Sequence, residues 1–136
     1  MFPPPAENET PSLSTLTVLL VDDDPDWRQT LKAGLEREGF RVVALGRAEW
    51  LLSAIDLHQP DVVILDVHLP GTSGLDLLGT IGRRWPALFT IVTTAFGGSS
   101  VEGVARRRGA SAYLDKPFRV SALLEEIRRA THPNRE

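Results

Sequence analysis

The sequence predicts an α/β protein built on one parallel sheet with helices on both faces. Three observations carry this. Five short apolar runs, rich in β-branched or aromatic residues and bounded by turn residues, recur along the chain. Segments whose apolar residues fall at helical spacing separate them. Three of the runs are apolar almost throughout rather than alternating, as strands covered on both faces must be.

The five strands are predicted at 16–21 (LTVLLV), 40–45 (FRVVAL), 61–66 (DVVILD), 88–94 (LFTIVTT) and 111–115 (SAYLD). The first helix shows its apolar face in Trp27, Leu31 and Leu35, with Phe40 close to the same stripe. Asp24 suits its N-cap, Pro25 its first position and Gly39 its stop. Ala48, Leu51, Leu52 and Ile55 mark the second helix, Leu75, Leu77, Leu78 and Ile81 the third, and Leu123, Leu124 and Ile127 the fifth. The fourth, in GGSSVEGVARRRG, has three glycines before Gly109 and little apolar surface beyond Val101, Val104 and Ala105. Glycine costs about 1 kcal/mol against alanine in a helix interior, so this helix is expected to be short, frayed or mobile. The five units give a three-layer sandwich around a five-stranded sheet of order 2-1-3-4-5, the flavodoxin-like doubly wound arrangement.

Residues 1–14, with four prolines among small and polar residues, read as a disordered leader. Residues 15–131 form one domain and 132–136 a tail. At 136 residues the chain is long enough to bury roughly two-thirds of the surface that it exposes unfolded. A net charge of −3 supplies no basic stripe, so this chain is not expected to bind nucleic acid. The absence of cysteine excludes disulfides and thiolate metal sites. No signal-peptide pattern and no long apolar run is present, so a cytoplasmic protein without membrane contact is expected. Thirteen arginines stand against two lysines, Lys32 and Lys116. Lys32 falls in an exposed helical pattern; Lys116 falls in YLDKPF, where a compact point charge rather than a planar fork is called for.

Ligands of a doubly wound sheet bind outside the carboxyl ends of the strands, at the switch point between strands 1 and 3. Strand 1 ends in Asp22, Asp23 and Asp24, strand 3 in Asp66, strand 4 in Thr93 and Thr94, and strand 5 in Asp115, Lys116 and Pro117. Like charges about 4 Å apart repel by roughly 4 kcal/mol at an effective dielectric near 20. Asp24 is accounted for as a helix cap. Asp22 and Asp23 alone would read as a solvated acidic turn; with Asp66 on the neighbouring strand they read as ligands of a hard cation. Thr93 is explained by strand propensity, its side chain alternating away from that of Thr94.

The pieces LLVDDDP, DVVILDVHLPGTSG, TTA and YLDKPF occur in the order and at the spacing of a known family. Over residues 15 to 131 the chain resembles a receiver domain of a two-component response regulator, and the strand order is carried over with that family. The resemblance implies that Asp66 accepts a phosphoryl group. It implies that Asp22, Asp23, Asp66 and the backbone carbonyl of His68 hold Mg²⁺, for which Mn²⁺ can substitute. Asp23 would bind the ion directly and Asp22 partly through water. Thr94 and Lys116 would contact the phosphate, and Thr94 and Tyr113 would be the switch pair. The partner would be a sensor histidine kinase or a histidine phosphotransfer protein, with a phosphorylation-linked homodimer as a further association. Leu69 stands where the family usually has methionine, which leaves its packing role intact.

The chemistry available to these groups is phosphoryl transfer onto the Asp66 carboxylate, with Lys116 and Thr94 on the equatorial oxygens. The output would be a rearrangement of the helix 4, strand 5 and helix 5 face. His68 and Phe96 would flank the path of the water that removes the phosphate, and both are bulky, which suits slow dephosphorylation. Two other classes use similar residues. A Mg²⁺-dependent phosphohydrolase would normally carry an acid at the position of His68, together with a cap domain. A pseudo-receiver would usually have lost an acid or the lysine. Flavin binding lacks a phosphate loop after strand 1. Five residues follow the last helix, so a stand-alone receiver or a receiver from a longer protein is expected.

Overall fold

The computed structural model describes residues 16–95 and 97–131. The predicted leader and tail, and Phe96, lie outside the described residues.

The strands of the main sheet are β1 (Thr17–Val21), β2 (Arg41–Leu45), β3 (Val62–Asp66), β4 (Phe89–Thr94) and β5 (Ala112–Asp115). The helices are α1 (Pro25–Arg37), α2 (Leu51–His58), α3 (Gly74–Arg84), α4 (Ser99–Arg107) and α5 (Val120–Thr131). All four strand pairings are parallel, and the order is β2-β1-β3-β4-β5, as predicted.

Side chains of successive strand residues leave the sheet on opposite faces, so each strand feeds two cores. Val18, Leu20, Val62, Ile64, Ile91 and Ala112 pack with Leu31 and Leu35 of α1 and Leu123 and Ile127 of α5. Leu19, Val21, Val63, Leu65 and Val92 pack on the other face with Leu51 and Ile55 of α2, Leu78 and Ile81 of α3 and Ala105 of α4. Each fully buried leucine or isoleucine stabilises the fold by about 1.5–3 kcal/mol. The three apolar strands are apolar because both of their faces are covered.

Two elements differ from the sequence expectation. The second helical segment opens with a 3₁₀ turn at Ala48–Trp50 before α2 begins at Leu51, so Ala48 reaches the core from outside the helix. Between β3 and α3, the expected loop forms a two-stranded antiparallel ribbon, His68–Leu69 with Thr72–Ser73. Its turn is Pro70-Gly71, and Gly71 has a φ of 73°, which favours glycine. The fourth helix is short, as expected: α4 has nine residues, and Ala105 is the one buried side chain described on it.

Candidate functional site

The hydrogen-bond ladder continues one step past the strand ends and fixes the backbone of the carboxyl edge. Asp22 N–H donates to the Leu45 carbonyl (3.1 Å), Val67 N–H to the Thr93 carbonyl (2.9 Å) and Lys116 N–H to the Thr94 carbonyl (2.8 Å). Asp22 and Asp66 are therefore carried by pinned backbone, and they are 1% and 3% exposed. Burying carboxylates this deeply is costly unless they are paired.

Lys116 supplies the pairing. Its Nζ lies 2.7 Å from Asp22 Oδ2 and 3.2 Å from Asp66 Oδ2. The other oxygen of each acid is held by backbone: Asp24 N–H donates to Asp22 Oδ1 (2.9 Å), and His68 N–H to Asp66 Oδ1 (3.0 Å). Asp24 itself caps α1, accepting from the N–H groups of Asp26 (3.0 Å) and Trp27 (3.2 Å), while Pro25 opens the helix. The cap read from the sequence is therefore present at Asp24, while Asp22 belongs to the buried pair. Asp23 is exposed beside the buried pair.

Burial raises the Asp66 pKa above the ordinary carboxylate value; the His68 N–H and Lys116 oppose this, and Asp22 adds to it. Burial works to lower the Lys116 pKa, but Asp22 and Asp66 outweigh it and hold the ammonium above its usual value. The causes differ: burial dominates at Asp66, whereas the two carboxylates together dominate at Lys116. Asp22, Asp23 and Asp66 place ligand oxygens within 4.8 Å of one another. Three carboxylates against one ammonium leave two negative charges, which a divalent cation would balance. Oxygen donors of this kind suit Mg²⁺.

Thr94 is fully buried at the end of β4, and Thr93, paired in register with Asp66, is buried as well. Tyr113 is half-buried on β5, and its hydroxyl donates to Asp115 Oδ1 (3.0 Å). His68 is exposed. Lys32, the other lysine, makes an ordinary surface pair with Glu36 (2.8 Å).

Sequence reasoning missed several supports. Arg28 Nη1 donates to the Asp22 carbonyl (2.6 Å) from inside a helical pattern that otherwise looks like solvated surface. The Trp27 ring lies 5.9 Å from Lys116 Nζ and packs edge-on against Phe118, 5.1 Å between centroids. A side chain on Gly74 would fall 2.5 Å from the Asp66 carbonyl and 2.8 Å from Val67 Cα, so α3 can start this close to the pocket only with glycine there. The Pro-Gly followed by Ser-Gly was visible in the sequence, but the close approach was not. The Lys116–Pro117 peptide is cis.

Fold and site together define a doubly wound α/β domain with a cation-ready acidic pocket at its switch point. Residues 18–128 match the response regulator receiver domain, and the chain belongs to that family. Among relatives, it is 38% identical over 118 residues to the C4-dicarboxylate transport transcriptional regulatory protein DctD of Pseudomonas aeruginosa. That match covers 87% of this chain and 26% of DctD. A CheY-like response regulator receiver domain protein from Methanospirillum hungatei superposes with a TM-score of 0.82 at 28% identity, covering 87% of this chain and 94% of that one. A response regulator from Burkholderia pseudomallei, solved with a phosphorylated aspartic acid, a calcium ion and citrate, superposes with a TM-score of 0.79 at 27% identity. It is covered over 71% of its length, against 88% of this chain. The chain spans between 24% and 58% of the length of the curated relatives it matches. Receiver domains serve two-component systems, and phosphorylation on an aspartate is their general mechanism.

Proposed function

We propose that this domain takes a phosphoryl group from a phosphohistidine of a sensor histidine kinase or histidine phosphotransfer protein onto Asp66. The observation that carries this is Asp66 itself: a buried carboxylate at the switch point, oriented at one oxygen by His68 N–H and at the other by Lys116. An oxygen of Asp66 attacks the phosphorus, the P–O bond forms as the P–N bond breaks, and the electron pair leaves with the imidazole nitrogen. Lys116 is placed to neutralise an equatorial oxygen, and Thr94 supplies the hydroxyl for another. The Burkholderia relative with a phosphorylated aspartic acid supports the same product here.

The cation site is assigned to Asp22, Asp23, Asp66 and the His68 carbonyl, and to Mg²⁺ with Mn²⁺ as a substitute. Bound there, the ion would offset the repulsion among the carboxylates and the incoming phosphate oxygens. Charge balance and the close approach of the three acids support this reading.

Phosphate on Asp66 draws Thr94 towards it, and Tyr113 turns into the space released, which changes the surface formed by α4, β5 and α5. That face is where an output partner or a phosphorylation-linked second copy would dock. The domain is a signalling acceptor rather than an enzyme acting on a diffusing substrate, and its place is the cytoplasm. Among the described residues no helix is long and apolar enough to cross a membrane. His68, two residues past the acceptor, narrows the approach of the hydrolytic water and slows the loss of phosphate; Phe96, the other residue assigned to this role from the sequence, lies outside the described residues.

The test is chemical. With acetyl phosphate, the protein should take up one phosphoryl group in the presence of Mg²⁺ and lose that uptake when EDTA removes the metal. Uptake that ignores EDTA would contradict the assigned site.

A further inference from the structure

Tyr113 is the one tyrosine of the chain. Tyr113 and Asp115 stand two residues apart on β5, on the same face of the sheet, and the phenol donates to the carboxylate at 3.0 Å. The Gly98 N–H, in the segment between β4 and α4, is near enough to the phenol to oppose the rise of its pKa. Gly97 lies directly against this pair. A methyl group there would collide with the Tyr113 hydroxyl, and would fall 2.5 Å from Asp115 Oδ1 and 2.7 Å from Thr94 Cγ2. The hydroxyl-bearing residue, the aromatic and the acid therefore crowd one position that only glycine leaves open.

We propose that Asp115 is a positioning residue for Tyr113. With Gly97 as its seat, the carboxylate holds the ring over the β4–α4 segment and sets the threshold for the inward turn. This deepens the switch reading of Thr94 and Tyr113 and rests on it. The phenol cannot turn inward while it is bonded to Asp115, so the bond biases the domain towards the unphosphorylated arrangement. A solvent-facing bond of this kind weights a two-state balance by about three- to tenfold. The pair is more than an incidental surface contact because it requires the absence of a side chain at Gly97.

The unique tyrosine makes the contact directly observable. Burial first, then Asp115, raises the Tyr113 pKa above the ordinary tyrosine value, with a smaller contribution from Glu102. The phenolate absorbance of wild type, Asp115→Ala and Gly97→Ala should be titrated, and the same proteins, together with Tyr113→Phe and Tyr113→Phe/Asp115→Ala, titrated with beryllofluoride in Mg²⁺. We expect Tyr113 to ionise at lower pH in Asp115→Ala. Half-saturation by beryllofluoride should come at about three- to tenfold lower concentration in Asp115→Ala. Gly97→Ala, which changes no charge, should act in the same direction, and Asp115→Ala should add nothing in the Tyr113→Phe background. An unchanged tyrosine titration in Asp115→Ala would overturn the contact itself. A shifted titration with one beryllofluoride response across all five proteins would overturn the proposal through the switch reading instead.

Discussion

Asp23 and Asp24 are neighbours with different surroundings, and a mutation in each separates metal binding from folding. Asp23 is exposed at the acidic cluster, whereas both helix-capping bonds belong to Asp24. Asp23→Ala should abolish the response of tryptophan fluorescence to Mg²⁺, which Trp27 is placed to report through its contact with Lys116. Asp24→Ala should leave the metal affinity nearly intact and cost about 1 kcal/mol of stability in a denaturant melt. Equal loss of metal binding in both variants would show that the acids are wrongly paired. The capping role of Asp24 was legible in the sequence because DDDP fixes a cap and a first helical position, so one of the acids was already explained. Asp115 was not legible as a partner of Tyr113, although the two-residue spacing on a strand puts both on one face. The missing fact was how close the β4–α4 segment comes, which is set by Gly97.

Among the elements, α4 is the one whose sequence and packing agree on weakness. It begins after Gly98, where φ is 113°, without a side-chain cap, and Ala105 is its buried anchor. Its Glu102–Arg106 pair (3.0 Å) is solvent-exposed and adds little. By contrast, α1 and α5 each bury two large aliphatic side chains against the sheet. Amide hydrogen exchange should therefore be faster in α4 than in α1 or α5, by about tenfold or more. Protection of α4 equal to that of α1 would remove the basis for treating it as the mobile half of the switch. Helix existence and helix faces were readable from apolar spacing. The 3₁₀ turn at Ala48–Trp50 and the ribbon after β3 were not, because each depends on backbone hydrogen bonds that leave no periodic trace in so few residues.

At the scale of the whole molecule, the parallel order β2-β1-β3-β4-β5 brings the ends of β1, β3 and β5 to one pocket. Residues 50 positions apart, Asp66 and Lys116, become bonded neighbours. The sequence showed which strand ends carry charged groups; the sheet order, taken with the family, made them adjacent. What no local pattern contained was the way Lys116 is shared between Asp22 and Asp66, which depends on the depth at which both acids are buried. The central claim is that Asp66 is the acceptor, and intact-mass spectrometry of wild type and Asp66→Asn after incubation with Mg²⁺ and acetyl phosphate tests it most directly. Wild type should gain one acid-stable, base-labile phosphoryl group and Asp66→Asn none; uptake by Asp66→Asn at the wild-type rate would contradict the account.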